Sequence, residues 1–187
     1  MLHAHFFQEH PMNRLGQVDP AAATGQAKEI FDGPLKGKHF NIFKSMAQSP
    51  AALQVYLGMS GPLSQGVLSA AEREVIQLAI GQANNCGYCV AAHTVIGKMS
   101  GLTAEQTVEA RRGTMANAKL NALTKFVLTI HEKHGHISDA DLSAFKAAGY
   151  TDAHAVEVVA NYALAVYTNV FNHVNDTPSD FPAVGGV

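Results

Sequence analysis

Helix punctuation recurs along this chain, and no segment alternates like a strand. Ser69-Ala70-Ala71-Glu72 and Thr103-x-x-Gln106 are capping boxes. In each, a hydroxyl at the N-cap and a longer side chain three residues on satisfy amides that the first turn leaves unpaired. Ser138-x-x-Asp141 marks a third start of the same kind. Gly101, Gly113 and Gly149 sit where helices are expected to stop, as residues free to take the left-handed conformation. The expectation is an all-α domain.

The punctuation gives the following order. Asp19-Pro20 predicts an N-cap and first helical residue, opening a helix that ends near Gly33. Residues 34–38 form a connector, and two short helices follow over 40–47 and 51–60, with Ser49-Pro50 between them. Residues 61–68 read as a loop. The capping box at Ser69 launches a helix to about Gln82, which Asn84-Asn85 breaks. The next helix runs from Cys86 to about Ser100, and that opened by Thr103 ends near Gly113. Helices over 119–134 and from Ser138 to Gly149 come next. Thr151 or Asp152 caps the last and most apolar helix, which ends before Asn175. Its richest stretch, 155–171, is interrupted by Glu157, Asn161, Thr168 and Asn169, so it reads as a buried core helix rather than a membrane span.

Residues 1–11 are rich in histidine and aromatics and match no period. They predict a loose extension (1–15) ahead of one domain over 16–187, a size that suffices for a full hydrophobic core. His3, His5 and His10 in that extension are not read as a metal site. The net charge of −2 supplies no basic footprint for nucleic acid and no polybasic segment for a membrane. Charged residues make up only 15% of the chain, a sparse supply that predicts a surface partly covered by other subunits. No secretory signal is legible at the start, so a cytoplasmic location is expected, where a CxxC pair serves redox chemistry or metal binding.

The chain's two cysteines fall in a single pattern, E-x11-C-x2-C-x3-H, formed by Glu74, Cys86, Cys89 and His93. On a helix beginning at Cys86, Cys89 lies at i+3 and His93 at i+7, so all three share a face. Cys86 at the helix start meets unpaired amides and the positive end of the macrodipole, which favour a thiolate. His93, one turn from Cys89, is placed to act on that thiol. A turnback at Asn84-Asn85 would bring Glu74 beside them as a proton acceptor or an orienting group. Gly87 permits close approach, and the Tyr88 hydroxyl is a hydrogen-bond donor at the site. Two cysteines, a histidine and a glutamate also make a conceivable four-ligand zinc site. Three of those ligands would come from two turns of one helix, so dithiol–disulfide cycling is the better reading.

At these residues the chain resembles the alkylhydroperoxidase D / carboxymuconolactone decarboxylase family. Glu74, Cys86, Tyr88, Cys89 and His93 match the peroxidase branch's E-x11-C-x-Y-C-x3-H at every position, and residues 51–102 look like the family core. The resemblance implies an all-α helical bundle that assembles into a homo-oligomer (dimer, trimer or hexamer). It also implies roles: Cys89 attacks a hydroperoxide and becomes a sulfenic acid, Cys86 resolves it as a disulfide, and Glu74 and His93 relay the proton. Tyr88 is supporting, no cofactor is needed, and an external dithiol of lipoyl or thioredoxin type returns the electrons. That role for Cys89 runs against the dipole argument, which favours Cys86 as the more acidic thiol. A redox-sensing or zinc-binding protein is the alternative, with a decarboxylase-like lyase behind it. Lactone-acting members generally lack the dithiol.

Other residues are open at this level. His131, His134 and His136 cluster at a helix end, where they complement the C-terminal carbonyls rather than bind metal. Asn169, Asn172 and His173 must find partners in an apolar helix, at the cavity or at a subunit interface. Phe40, Phe43, Met46 and Met59 are read as core or interface, some of them available to line an entry channel.

Overall fold

A computed structural model describes residues 13–187, and among these every regular element is a helix. They are α1 (Gly25–Asp32), α2 (Asn41–Met46), α3 (Pro50–Leu63), α4 (Ala70–Ala83), α5 (Gly87–Met99), α6 (Ala104–Arg112), α7 (Ala118–Glu132), α8 (Asp139–Ala147) and α9 (Asp152–Asn175). The expected extension lies outside the described residues up to position 12. Beyond it, Arg14 N–H donates to the Asn175 carbonyl at 2.8 Å and Leu15 N–H to Asn175 Oδ1 at 3.0 Å.

The starts follow the caps. Ser69, Thr103 and Ser138 each accept the N3 amide, and Glu72, Gln106 and Asp141 each reach back to the N-cap amide. Gly113 ends α6 at φ 77°, and Gly101 and Gly149 follow α5 and α8 at φ 97° and 93°. Three boundaries depart from the sequence reading. Asp19 does not open a helix: its carboxylate accepts the Ala21 amide at 3.0 Å and its carbonyl the Ala22 amide at 3.1 Å, a single turn. α1 instead starts at Gly25, after Thr24. α3 runs through Gly61 and Pro62 to Leu63, because Ser64 N–H reaches the Ser60 carbonyl and a proline near the end of a helix forfeits only one bond. The remaining loop is pinned to α9 by Glu157, whose carboxylate accepts the Val67 and Leu68 amides at 2.7 and 3.0 Å. α9 also includes Asn175, and Asp176 in the left-handed region stops it.

α4 is the hub, packing against α5, α6, α7 and α9. One core gathers Val75, Leu78, Leu123, Val127, Phe145 and Val158 from α4, α7, α8 and α9. Within it Phe145 is stacked between Phe126 and Tyr150, with ring centroids 4.2 and 4.3 Å apart. A second core joins Ile30 and Phe31 of α1, Phe43 and Met46 of α2 and Leu53 of α3 to Cys86 and Cys89 of α5. The cysteines therefore lie under the N-terminal helices. Among the described residues no helix is long and apolar enough to cross a membrane.

The α8 start carries a pH signature. Lys133 beside Asp141, with the Ser138 amide and hydroxyl, holds the Asp141 carboxyl down at about 2. A depressed carboxyl contributes stability above its unfolded pKa of about 3.9, and that contribution is lost as pH falls through the folded value. Asp141→Asn is therefore expected to be less stable than the parent at pH 7, with the gap closing between about pH 4 and pH 2. Urea unfolding across that range checks it; a gap independent of pH would remove the carboxylate as its cause.

Candidate functional site

The turn between α4 and α5 builds the site. Asn84 caps α4, Asn85 takes φ 55°, and the Cys86 amide returns to the Gly81 carbonyl at 2.8 Å. Cys86 then becomes the N-cap of α5, its sulfur accepting the Cys89 amide at 3.3 Å. This is the helix-start environment expected from the sequence. Cys86 and Cys89 are joined as a disulfide, with Cα atoms 5.3 Å apart. Both are buried, at 1% and 3% exposure.

Two turns along α5, His93 Nδ1 lies 2.7 Å from Glu74 Oε2. The helices approach closely here because α5 carries Gly97. A Cβ at that position would lie 3.6 Å from the Glu74 Cβ and 3.2 Å from Leu102. The four predicted residues thus form two bonded pairs, sulfur with sulfur and carboxylate with imidazole. Among the described residues no group of three or more His, Cys, Asp or Glu side chains is arranged to hold a metal ion.

A cavity of about 650 Å³ opens beside these pairs. Cys89, His93, Glu74 and Tyr88 line it and Cys86 does not. Its other walls are chiefly apolar: Phe40 and Phe43 contribute, as does Phe181 from the C-terminal segment, while Met46 belongs to the core. The polar exceptions include Asn161, Thr168 and Asn172, along one face of α9. Asn172 Nδ2 stands 3.3 Å from Cys89 Sγ and 4.0 Å from Cys86 Sγ. Asn169 meets the turn instead, its Oδ1 accepting from Asn84 Nδ2 at 2.9 Å, and His173 is exposed on the far side. Sequence reasoning singled out Asn172 as a buried polar group needing a partner, but nothing in the sequence named sulfur as that partner. His131 finds the Tyr162 hydroxyl at 3.3 Å, away from the cavity.

The C-terminal segment was not anticipated at all. Asp180 accepts the Tyr88 hydroxyl at 2.7 Å and the Asn41 amide at 2.8 Å, and Phe181 packs against Tyr88 and Phe40. Tyr88 therefore fastens a strap across the cavity instead of donating to the sulfurs. Burial, with the Asp180 carboxylate beside it, pushes the Tyr88 phenol well above its ordinary range, so it stays a protonated donor.

Residues 50–132 match the carboxymuconolactone decarboxylase family. That match spans α3 to α7 and includes all five motif residues. No curated protein matches the chain by sequence. Among solved structures, the fold is similar to an uncharacterized peroxidase-related protein from Ralstonia eutropha JMP134, described as an alkylhydroperoxidase AhpD core. Identity is 25% and the TM-score 0.79, over 91% of this chain and 94% of that one. A peroxidase-related protein from Silicibacter sp. TM1040 shares the fold at 17% identity and TM-score 0.75, over 91% and 94% of the two chains. So does the debrominase Bmp8, solved with 2,3,4-tribromopyrrole, at 16% identity and TM-score 0.73, over 89% and 91%. The fold is thus that of the alkylhydroperoxidase D type.

Removing the strap's fastening has a measurable cost. Tyr88→Phe should lower stability by about 1 kcal/mol, the net worth of an ordinary hydrogen bond rather than the larger value for a buried charge, because Asp180 is exposed. It should also speed amide exchange over residues 178–183. Exchange rates there equal to the parent's would mean that the strap is held by Phe181 alone.

Proposed function

We propose that this protein is a thiol-dependent peroxidase in which Cys89 is the attacking thiol and Cys86 the resolving one. The observation that carries the reading is the asymmetry of the pair. Cys89 borders the cavity together with the Glu74–His93 pair, while Cys86 lies behind it at the α5 N-terminus. Proximity to a substrate space outweighs the helix-end preference for Cys86, which is worth about 0.3–1 kcal/mol at an exposed site and up to about 2 kcal/mol at a buried one.

The cycle balances as follows. His93, held by Glu74, takes the Cys89 proton, and the thiolate attacks one oxygen of a hydroperoxide. The O–O bond breaks, the alkoxide leaves as the alcohol after taking a proton, and Cys89 becomes a sulfenic acid. The Cys86 thiolate then attacks that sulfur, the S–O bond breaks, and hydroxide departs as water. The resulting disulfide is reduced by an external dithiol, of lipoyl or thioredoxin type, which supplies two electrons and two protons. No cofactor takes part. The apolar walls favour an organic hydroperoxide over hydrogen peroxide itself.

The sparse charge supports a homo-oligomer, and return of the electrons by an external dithiol calls for a reducing compartment such as the cytoplasm. The pairing of sulfur with sulfur and of Glu74 with His93 supports redox work over a zinc site or a redox sensor without turnover. A dithiol at the cavity wall likewise supports it over lyase chemistry.

Rapid mixing of the reduced protein with cumene hydroperoxide, followed by mass spectrometry, tests the cycle. Both thiols should disappear with loss of two hydrogens and return on adding a dithiol. Thiols that survive excess hydroperoxide would overturn the reading. Cys89→Ser should abolish consumption, whereas Cys86→Ser should halt at a sulfenic acid that dimedone traps. Glu74→Gln should slow the first step by about 10²-fold or more, the ordinary yield of general acid–base catalysis. Single-turnover kinetics unchanged in that variant would take the carboxylate out of the proton path.

A further inference from the structure

We infer that Asn172 is a further catalytic residue: its side-chain amide donates a hydrogen bond to Cys89 Sγ and stabilises the thiolate that attacks the substrate. The inference rests on the thiol reading of the site and adds a residue outside the CxxC motif and outside the residues that match the family. Asn172 lies on α9, 83 positions from Cys89, yet its Nδ2 is 3.3 Å from that sulfur. A thiolate in a cavity walled chiefly by apolar side chains has little water to solvate it, so a fixed donor at hydrogen-bond range lowers the cost of the charge. The nitrogen rather than the oxygen of the amide faces the sulfurs, as negative charge there requires.

Two further observations bear on this contact. Asn172 is 4% exposed, and its Oδ1 is buried without a hydrogen-bond partner among the described residues. Asn169 likewise leaves its Nδ2 buried and unmet, so it is the contact with sulfur that sets Asn172 apart from its neighbour on the same face. Asn172 leaves one end unmet while the other points at sulfur. One turn earlier on the same helix, Asn169 accepts from Asn84 Nδ2 at 2.9 Å, two residues before Cys86. That bond sets the register of α9 against the α4–α5 turn and so fixes the distance from Asn172 to the sulfurs. Asn169 is a positioning residue for Asn172.

The test uses the full chain with Cys86→Ser, which leaves Cys89 as the only thiol. The rate of its alkylation by iodoacetamide, followed against pH by mass spectrometry, reports the thiolate directly and needs no peroxide. The ionisable groups around the cavity are Lys38, Tyr56, Arg73, Glu74, Tyr88 and His93, and they are common to every protein compared. Asn172→Leu should move the midpoint upward by about one to two pH units, slowing alkylation below it by about 10- to 100-fold. A midpoint within about 0.3 unit of the Asn172 parent's, in a folded variant, overturns the inference, because removing a donor from the thiolate must raise its pKa.

If the leucine variant does not fold, Asn172→Ala removes the donor without adding bulk or charge. It should move the midpoint in the same direction, and an unmoved midpoint again overturns the inference. A readout that leaves Asn172 in place is its side-chain amide resonance in ¹⁵N-labelled protein, which should titrate with the Cys89 midpoint and not independently of it. A protein that shows the shift but consumes no hydroperoxide would sink the peroxidase reading and leave the role of Asn172 standing. Turnover with an unmoved midpoint would do the reverse.

Discussion

Everything at the site depends on the tight reversal between α4 and α5. Within two residues the chain must end one helix and start another with a cysteine at its N-cap. Asn84 closes α4 by donating its N–H to the Ile80 carbonyl, and Asn85 takes the left-handed conformation, which asparagine tolerates far better than a branched residue does. The Cys86 amide closes back on Gly81, and the Cys86 sulfur caps α5. The cap and the disulfide are therefore one device. The three-residue spacing that lets an N-cap side chain reach the N3 amide also brings Cys89 within bonding range of Cys86. The same reversal lays α5 along α4, so that Glu74 and His93 meet one turn beyond Cys89.

The last helix completes what the reversal begins. α9 carries asparagine and threonine on a buried face, which is costly for a helix serving only as core. The face is used in several ways. Gln77 on α4 donates to the Asn161 carbonyl, Asn84 donates to Asn169, Asn172 meets the sulfurs, and Asn175 receives the start of the described chain. Polar groups that would weaken a hydrophobic interface here determine how α9 is aligned against the reversal, because Asn169 meets the turn and Asn172 the sulfurs at fixed heights.

The fold was legible wherever local chemistry decides it. The boxes at Ser69, Thr103 and Ser138 and the glycines after α5, α6 and α8 mark boundaries that need only a few neighbouring residues. Legibility failed where a local signal had two outcomes. Asp19-Pro20 suits a turn as well as a helix start, and Gly61-Pro62 suits the last turn of a helix as well as a loop. At the site, the motif brought Glu74, Cys86, Cys89 and His93 together, since all four sit on two consecutive helices. Asn172 and Asp180 arrive from far along the chain, and no periodicity in one sequence carries that kind of pairing.

Tyr88 shows how a motif residue can act at a distance from the reacting atoms. It stands between the two cysteines, so its backbone is fixed by α5, while its ring faces the strap. Burial and the charge of Asp180 disfavour the phenolate, and the hydroxyl therefore remains a donor throughout the range in which thiols ionise. A phenol held in that state is unsuited to accepting the Cys89 proton, and its bond to Asp180 commits it to the strap. Tyr88 thus shapes the space in front of Cys89, with Phe40 and Phe181 closing over it, and the proposed proton relay rests on the Glu74–His93 pair instead.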